Sequence, residues 1–395
     1  MDFELGKEQQ EIQERAAEFS DREVAPYAAE WDREARFPAE VFKRLAGAGF
    51  MGLCVPEEYG GGGTDFLSYT LLIEEISRAD AGVAVTLAVH TSAGTLPILI
   101  YGNEDQRSRF VPDLARGEKL GCFALTEPTT GSDTAAIEAS AERIEGGYRL
   151  SGHKQWVTNG RAAGTMTIFA RAQEGVTAFV VGMDEAGISF GKHAEKMGVL
   201  SATTDDVLLD NVFVPEEGRI GEEGKGLRVA LGTLDTGRIG IAAQALGIAE
   251  AAFRYAVRYA SERTTFGKPI AEHQAISFKL ADMQTKIRAA RLLVYEAAWI
   301  KDQGMPHGEA GARAKLYAAQ VANEVTYEAV QVLGGQGYMK DHPVERYYRD
   351  ARVTEIYEGT SEIQRLVISR SILRELTEHS PESPGGVRDS KSVVG

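Results

Sequence analysis

The spacing of apolar residues divides this 395-residue chain into a helical, a strand-like and a second helical region. In the first region, one face of a helix interrupted by Pro26 carries Leu5, Ile12, Ala16, Phe19 and Val24. A second helix is predicted to open at Pro38, a favoured first-turn residue, and to close near Gly47 or Gly49. A third helix is marked by Phe66, Tyr69, Leu72, Ile73 and Ile76.

Glycine and asparagine mark boundaries within this first region. We assign Gly60–Gly63 to a flexible loop, and Asn103 is predicted to cap a helix whose first turn carries Glu104 and Asp105. Residues 81–101 contain no Asp, Glu, Lys or Arg, so they are a candidate membrane span. A buried helix is the favoured interpretation, because the stretch also contains Thr86, His90, Thr91, Ser92, Thr95 and Pro97.

The hydrophobic period changes to that of short strands after about Gly121. Residues 144–150 are predicted to form a hairpin, with Gly146 and Gly147 supplying the positive φ angles of its turn. Apolar runs follow at Thr165–Ala170, Val176–Val181 and Val207–Val214. Short strands at this spacing indicate a small β-sandwich or barrel.

Helical periods return after about Gly226, in segments of several turns that are rich in Ala and Leu. These segments are Ala242–Ala260, Ala275–Asp302 and Ala310–Leu333, and their short connections favour an antiparallel bundle. A last helix is predicted from Ser361, which forms a capping box with Gln364. The residues from about 378 on are rich in Ser, Pro, Gly and charge, and are expected to be a disordered tail.

The predicted fold class is therefore α+β. We expect an N-terminal all-α domain over residues 1–119, a middle β-sandwich or barrel domain over 120–226, a C-terminal four-helix bundle over 227–377 and the tail over 378–395. Composition agrees with a globular protein, since 43% of the residues are hydrophobic and 26% are charged.

Charge and short motifs exclude several classes of function. The net charge of −15 argues against nucleic acid or an anionic membrane as a partner. The acidic N-terminus lacks the features of a signal or transit peptide, and the isolated Cys54 and Cys122 fit a reducing compartment, so a cytoplasmic location is expected. The sequence has no P-loop, no G-x-G-x-x-G, no G-x-S-x-G and no H-x-x-x-H, and no metal site is predicted.

Three segments stand out as candidates for a functional site. Segment 122–133 (CFALTEPTTGSD) lies where the chain enters the β region, and segment 153–160 (HKQWVTNG) places Trp156 and Thr158 at i and i+2 on one strand face. A flat aromatic ring beside a hydroxyl could contact a planar heterocycle and bond its edge. Segment 352–365 (RVTEIYEGTSEIQR) places Glu358 beside a glycine and just before a helix N-terminus.

Together these segments closely resemble the acyl-CoA dehydrogenase family, nearest to its short-chain (butyryl-CoA) branch. The resemblance extends to segments 235–238 (DTGR), 262–269 (ERTTFGKP) and 331–338 (QVLGGQGY), and runs in the family's order over nearly the whole chain. It implies FAD as cofactor and an acyl-CoA as substrate. Each residue taken alone has a plainer explanation, such as a core position for Trp156, a surface charge for Glu358 or a bundle ion pair for Arg238.

The resemblance also implies roles for individual residues. It implies that one side of the flavin contacts Phe123, Leu125, Thr126, Gly131 and Ser132. The isoalloxazine would be lined by Trp156, Val157 and Thr158. The adenine diphosphate part, largely of a neighbouring subunit's FAD, would contact Arg263, Phe266, Gln274, Gln331, Gly334 and Gly335. Thr360, near the pyrophosphate at a helix N-terminus, and Glu362 would complete the cofactor site. The acyl-CoA would contact Ser132, Asp235, Arg238 and Gly359.

The chemistry that the resemblance implies centres on Glu358. Its carboxylate would take the α-proton of the thioester while the β-hydrogen leaves as hydride to flavin N5, giving a trans-2-enoyl-CoA. Hydrogen bonds from the flavin ribityl hydroxyl and the Glu358 backbone N–H would stabilise the developing enolate. The isovaleryl and long-chain branches carry their base at the position of Gly237, and the glutaryl branch carries an arginine near Ala84. This chain has neither, which favours Glu358 and disfavours decarboxylation.

The family further implies a homotetramer that passes electrons to an electron-transfer flavoprotein in fatty acid or branched-chain amino acid catabolism. Two alternatives stay open from the sequence. An acyl-CoA oxidase would use the same base and flavin but reduce oxygen, although such oxidases usually have a longer C-terminal half. A non-catalytic acyl-CoA-binding scaffold would keep the fold without the reaction. Thr129–Thr130 and Val157 depart from the usual family residues without removing a functional group.

Overall fold

A computed structural model describes residues 4–378. The first region is helical, as predicted, and its helices are α1 (Lys7–Phe19), α2 (Ala28–Glu34), α3 (Ala39–Gly47), α4 (Phe66–Ala79), α5 (Ala81–Val89), α6 (Leu96–Tyr101) and α7 (Glu104–Ala115). Pro38 precedes α3 rather than forming its first turn, and α2 was not predicted. The cap of α7 is confirmed, because Asn103 accepts the Gln106 N–H at 2.9 Å and Gln106 accepts the Asn103 N–H in return.

The apolar stretch 81–101 is a buried element of the fold. It consists of α5, a π-helical turn over His90–Thr95 and α6. Its length and composition would suit a membrane span, but 89% of its apolar window is buried inside the protein. The interpretation as a core helix is therefore confirmed, and this helix packs against the bundle helix that follows the β region.

The predicted loop at Gly60–Gly63 is held by backbone hydrogen bonds, which the prediction of a flexible loop did not include. The Gly62 and Gly63 N–H groups donate to the carbonyls of Gly52 and Val55, each at 2.9 Å. A Cβ atom on Gly61 would overlap the Val55 carbonyl. These glycines thus serve close backbone approach, which a count of turn residues does not distinguish from flexibility.

The middle region contains eight strands in one connected sheet, in the order β6-β7-β3-β2-β4-β5-β8 with β1 parallel to β4. The strands are β1 (Leu120–Ala124), β2 (Ser140–Ile144), β3 (Gly147–Thr158), β4 (Ala163–Ala172), β5 (Gly175–Gly182), β6 (Ile188–His193), β7 (Thr204–Pro215) and β8 (Arg219–Ile220). The pair Ser140–Arg171 joins two halves of this sheet, which enclose a shared apolar core. This arrangement is the expected β-sandwich.

The β2–β3 hairpin was predicted with one error in its turn. Gly146 has φ of +78°, as expected, whereas Gly147 is not in the positive-φ region and is already the first residue of β3. Glycine is needed at position 147 for another reason, because a Cβ there would overlap the carbonyl oxygen of Val214 on β7.

The third region is the predicted helical bundle. Its helices are α8 (Gly226–Glu262), α9 (Gln274–Asp302), α10 (Gly308–Leu333), α11 (Val344–Arg352) and α12 (Ser361–Glu378), with the short strands β9 (Thr264–Thr265) and β10 (Lys268–Pro269) after α8. One apolar core runs from α1 and α4 into α8, α9 and α10. The first strand begins at Leu120 and α8 begins at Gly226. We propose domain divisions at 119/120 and 226/227, the second of which falls one residue inside α8.

The start of α12 corrects the predicted capping box. The Thr360 hydroxyl accepts the Ile363 N–H, whereas the Ser361 hydroxyl is buried without a hydrogen-bond partner among residues 4–378. Gln364 turns back to donate to the Gly359 carbonyl at 2.7 Å. Thr360 therefore caps the helix, one residue earlier than predicted. The predicted tail, apart from residue 378, lies outside the described residues.

A buried ionic network joins the N-terminal helices to the bundle. Arg291 on α9 donates to Glu74 on α4 at 2.7 Å and to Glu250 on α8 at 3.1 Å. The Tyr295 hydroxyl donates to the second oxygen of Glu74 at 2.8 Å. Burial raises the pKa of Glu74, and the charge of Arg291 opposes this rise.

We predict that Arg291→Met strongly destabilises the fold, because it leaves a buried carboxylate without its cation. The expected loss is about 3–5 kcal/mol. Urea unfolding, followed by circular dichroism, would measure it. The control is Arg22→Ala, which removes an exposed pair with Glu18 and should change the midpoint far less. Equal midpoints for the two variants would contradict a structural role for the network.

Candidate active site

A cavity of about 400 Å³ lies where the three regions meet. The sequence-predicted residues that line it are Phe123, Leu125, Thr126, Gly131, Ser132, Trp156, Thr158, Arg238, Glu358, Gly359 and Thr360. The helical region adds Val85, Val89 and Ala93 from the buried stretch 81–101. The fold thus brings together residues that are more than 230 positions apart in the chain.

Glu358 lies at the bundle side of this cavity. One carboxylate oxygen, Oε2, is buried and has no hydrogen-bond partner among the described residues. It faces Gly237 on α8 so closely that a Cβ atom at position 237 would lie 2.6 Å from it. The carboxylate occupies space that exists because residue 237 has no side chain.

The surroundings of Glu358 favour its neutral form. Burial raises the pKa of this carboxyl group to about 7, while the positive charges of Arg238 and Lys315 oppose the rise. A carboxyl group with a pKa near neutrality can both accept and release a proton at physiological pH, which is the property of a general base.

The backbone around Glu358 is unusual and is held by two side chains. Glu358 has φ of +54° and Gly359 has φ of +89°, so two successive residues adopt left-handed conformations. The Gly359 carbonyl accepts hydrogen bonds from Lys315 on α10 at 2.8 Å and from Gln364 on α12 at 2.7 Å. Neither Lys315 nor Gln364 was singled out from the sequence as part of the site.

Trp156 lines the same cavity from the β region. The pairing of β3 with β7 is irregular between Lys154 and Val157, and Trp156 has φ of +56°. This irregularity leaves the Trp156 residue 62% exposed at the cavity wall, with Thr158 beside it. The Val157 side chain points into the sandwich core, so it does not line the cavity as predicted.

The segment 122–133 is anchored by a buried ion pair that the sequence analysis missed. The Lys154 ammonium group contacts Glu127 at 2.6 Å and the Leu125 carbonyl at 3.1 Å, and both charged side chains are buried. Glu127 also accepts the N–H groups of Glu138 and Ala139. Burial lowers the pKa of Lys154 to about 8. Lys154 has polar neighbours on β3 and Glu127 lies in the loop after β1, so the sequence held no signal that the two pair.

Arg238 reaches the cavity from α8, and its partner Asp235 lies one helical turn earlier. The two are joined at 2.5 Å, with Arg238 almost fully buried and Asp235 partly exposed. Burial raises the pKa of Asp235, and Arg238 opposes this rise. Asp235 does not itself line the cavity.

The remaining predicted cofactor residues lie elsewhere. Arg263, Phe266, Gly334 and Gly335 line a second cavity of about 660 Å³. Phe266 there is 97% exposed. Gln274 and Gln331 lie at the adjoining ends of α9 and α10 but do not line this cavity. Glu362 is exposed near Arg365 on α12 and lines neither cavity. The residues predicted to bind one cofactor therefore fall into two groups within a single chain.

Each of the three regions matches a domain model of one protein family. The N-terminal domain model of the acyl-CoA dehydrogenases matches residues 6–118, the middle domain model residues 122–212 and the C-terminal domain model residues 224–373. The chain is 45% identical to a short-chain specific acyl-CoA dehydrogenase of Clostridium acetobutylicum, over 95% of this chain and 100% of that protein.

Solved structures agree with the sequence comparison. The butyryl-CoA dehydrogenase of Megasphaera elsdenii is 44% identical with a TM-score of 0.93, covering 95% of this chain and 100% of that one. An acyl-CoA dehydrogenase from Bacillus anthracis, solved as a complex with FAD, is 34% identical with a TM-score of 0.91. That match covers 95% of this chain and 70% of that one.

Proposed function

The chain belongs to the acyl-CoA dehydrogenase family, and from this premise we propose that it oxidises a short-chain acyl-CoA to a trans-2-enoyl-CoA with Glu358 as the base. The observation that carries the proposal is the Glu358 side chain, which lines the cavity while its Oε2 atom lies buried against Gly237 without a hydrogen bond from the described residues. A general base needs a free lone pair at the place where a substrate proton arrives.

The cavity fits FAD as the cofactor. The Trp156 ring stands free at one wall, where a flat heterocycle could stack, and Thr126, Ser132 and Thr158 offer hydroxyl groups around it. Thr360 stands at the N-terminus of α12, which favours a phosphate group. When bound, FAD would supply the hydride acceptor that no side chain can provide.

The walls beside Glu358 suit an acyl chain. The side chains of Val85, Val89 and Ala93 form an apolar surface with Tyr357 packed against it. An acyl chain on this surface would exclude water from the carboxylate. Ser132, Arg238 and Gly359 would contact the acyl-CoA from the cavity, with Asp235 acting through its ion pair to Arg238.

The reaction then depends on what these residues do at the α-carbon. Glu358 accepts the α-proton, and the backbone N–H of the same residue donates to the thioester carbonyl as negative charge develops there. A preorganised donor of this kind typically contributes about 2.7–4 kcal/mol to transition-state stabilisation. The neighbouring cations Arg238 and Lys315 keep enough of the carboxyl group ionised to act near neutral pH.

The second cavity supports a shared cofactor between subunits. We assign Arg263, Phe266 and Gly334–Gly335 to the adenine diphosphate part of a neighbouring subunit's FAD, together with Gln274 and Gln331. Exposed apolar residues on α9, namely Phe278, Leu292 and Trp299, are spaced by multiples of seven and would be covered by another subunit. A homotetramer would cover both surfaces. We also propose a cytoplasmic location.

The electrons are proposed to leave through an electron-transfer flavoprotein, in fatty acid or branched-chain amino acid catabolism. The test is the reaction of the substrate-reduced enzyme with air in the absence of such a protein. Slow reoxidation is expected, and rapid turnover with peroxide release would establish an oxidase instead. A protein that stays colourless after incubation with FAD would favour a non-catalytic scaffold.

Glu358→Gln is predicted to keep the cofactor and the substrate but to lose the reaction, because the amide cannot accept the proton. Anaerobic mixing with butyryl-CoA should show flavin bleaching slowed by about 10²–10⁴-fold. The matched control is Glu355→Gln, which removes a carboxylate three residues away that pairs with Arg352. Bleaching of the Glu358→Gln variant at the wild-type rate would refute the assignment of the base.

The activity is predicted to rise with pH through about 7. The pKa of Glu358 is raised to about 7 by burial, so below this pH the carboxyl group is mostly protonated and cannot act as a base. We expect kcat/KM for butyryl-CoA to fall by about tenfold per pH unit well below the midpoint, since this ratio reports the free enzyme. A profile that stays flat down to pH 5 would be inconsistent with this base.

A further inference from the structure

Lys315 is a buried cation whose contact with the turn that carries Glu358 has not yet entered the proposed reaction. It lies within α10, is fully buried, and its ammonium group donates to the Gly359 carbonyl at 2.8 Å. A buried ammonium group is costly unless its interactions compensate the loss of water. A lysine retained at this position therefore indicates a specific task at the turn it contacts.

That turn is the strained segment that carries Glu358. A left-handed conformation is unfavourable for a non-glycine residue, and it persists where surrounding contacts fix it. The Gly359 carbonyl has two such contacts, since Gln364 donates to it as well as Lys315, and Gln364 also approaches the Glu358 carbonyl at 3.3 Å. The two donors come from different helices, so they fix the turn from two directions.

The charge of Lys315 also acts on the carboxylate. The charged groups around Glu358 are Arg238 from α8 and Lys315 from α10, while Tyr69 from α4 and the adjacent Tyr357 present buried hydroxyls. Lys315 in turn feels the charges of Glu355 and Glu362. Burial lowers the pKa of Lys315 to about 8, which leaves the ammonium form in the majority at pH 7.

We propose that Lys315 is a positioning residue for the reaction, which holds the Glu358–Gly359 turn through the Gly359 carbonyl and keeps the Glu358 carboxylate ionised by its charge. The inference rests on the proposed function of Glu358. The hydrogen bond and the positive charge of Lys315 can be tested separately, because Gln364 also donates to the Gly359 carbonyl but carries no charge. A purely structural lysine would contribute neither to the pH profile nor to the rate per bound flavin.

The experiment compares Lys315→Met, Lys315→Arg and Gln364→Met in the FAD-loaded enzyme. Each variant is mixed anaerobically with butyryl-CoA from pH 6 to 9, and flavin bleaching is expressed per bound flavin. Amide hydrogen exchange of the segment 358–363 without substrate gives a second readout that needs no turnover. Lys43→Met, which removes an exposed lysine on α3, is the control for loss of one positive charge.

We expect Lys315→Met to raise the midpoint of the pH profile, because a cation that lowers the pKa of Glu358 is lost. Bleaching at pH 7 should fall by roughly 10- to 100-fold, the range expected when a reacting group is displaced by about 1 Å. Lys315→Arg should restore the midpoint. Gln364→Met should slow bleaching without moving the midpoint, and exchange should accelerate in both Lys315→Met and Gln364→Met.

The proposal is overturned if Lys315→Met bleaches at the wild-type rate with the wild-type midpoint. It is equally overturned if the substitutions lower only the melting temperature or the FAD content. If the wild-type enzyme is not bleached by any acyl-CoA from C4 to C16, the proposed function fails instead. The exchange measurement would then still show whether Lys315 holds the turn.

Discussion

The site depends on one partly buried carboxylate, one oxygen of which has no fixed hydrogen bond. The Oε2 atom of Glu358 has no partner among the described residues, and its surroundings raise the pKa of the group to about 7. A carboxylate that accepted several hydrogen bonds would be a weaker base. The bundle supplies the turn and the space at Gly237, the sandwich supplies Trp156, and the helix at Val85 and Val89 closes the apolar wall.

Buried charges fix the walls of this site relative to one another. Lys154 and Glu127 join β3 to the loop 122–133, and Arg291 and Glu74 join α9 to α4. Such pairs contribute little net stability compared with apolar packing, because desolvation offsets their attraction. Their geometry is demanding, however, because a misplaced partner leaves a buried charge unpaired, and the desolvation free energy of that charge is then not compensated. The first pair therefore favours one position of the loop after β1 on β3, and the second favours one position of the N-terminal helices on the bundle.

The sequence predicted the elements of this fold better than their junctions. Helices and strands follow from the period of apolar residues, and the Asn103 cap follows from local hydrogen bonding, so both were accessible. The close packing of Gly61, the cap at Thr360 and the irregularity at Trp156 depend on what lies opposite in space. Lys154 and Lys315 were missed for the same reason, since a lysine in a strand or helix pattern ordinarily indicates a solvated face.

Gly237 shows how a missing side chain selects the position of a base. A Cβ atom there would lie 2.6 Å from Oε2 of Glu358, so any larger residue competes with the carboxylate for the same volume. A carboxylate built on α8 at this position would reach the same region of the cavity from the other side. The two solutions exclude each other sterically, and placing two carboxylates there would also raise the cost of ionising either one. A glycine at position 237 on α8 and a glutamate at position 358 on the turn therefore depend on each other sterically.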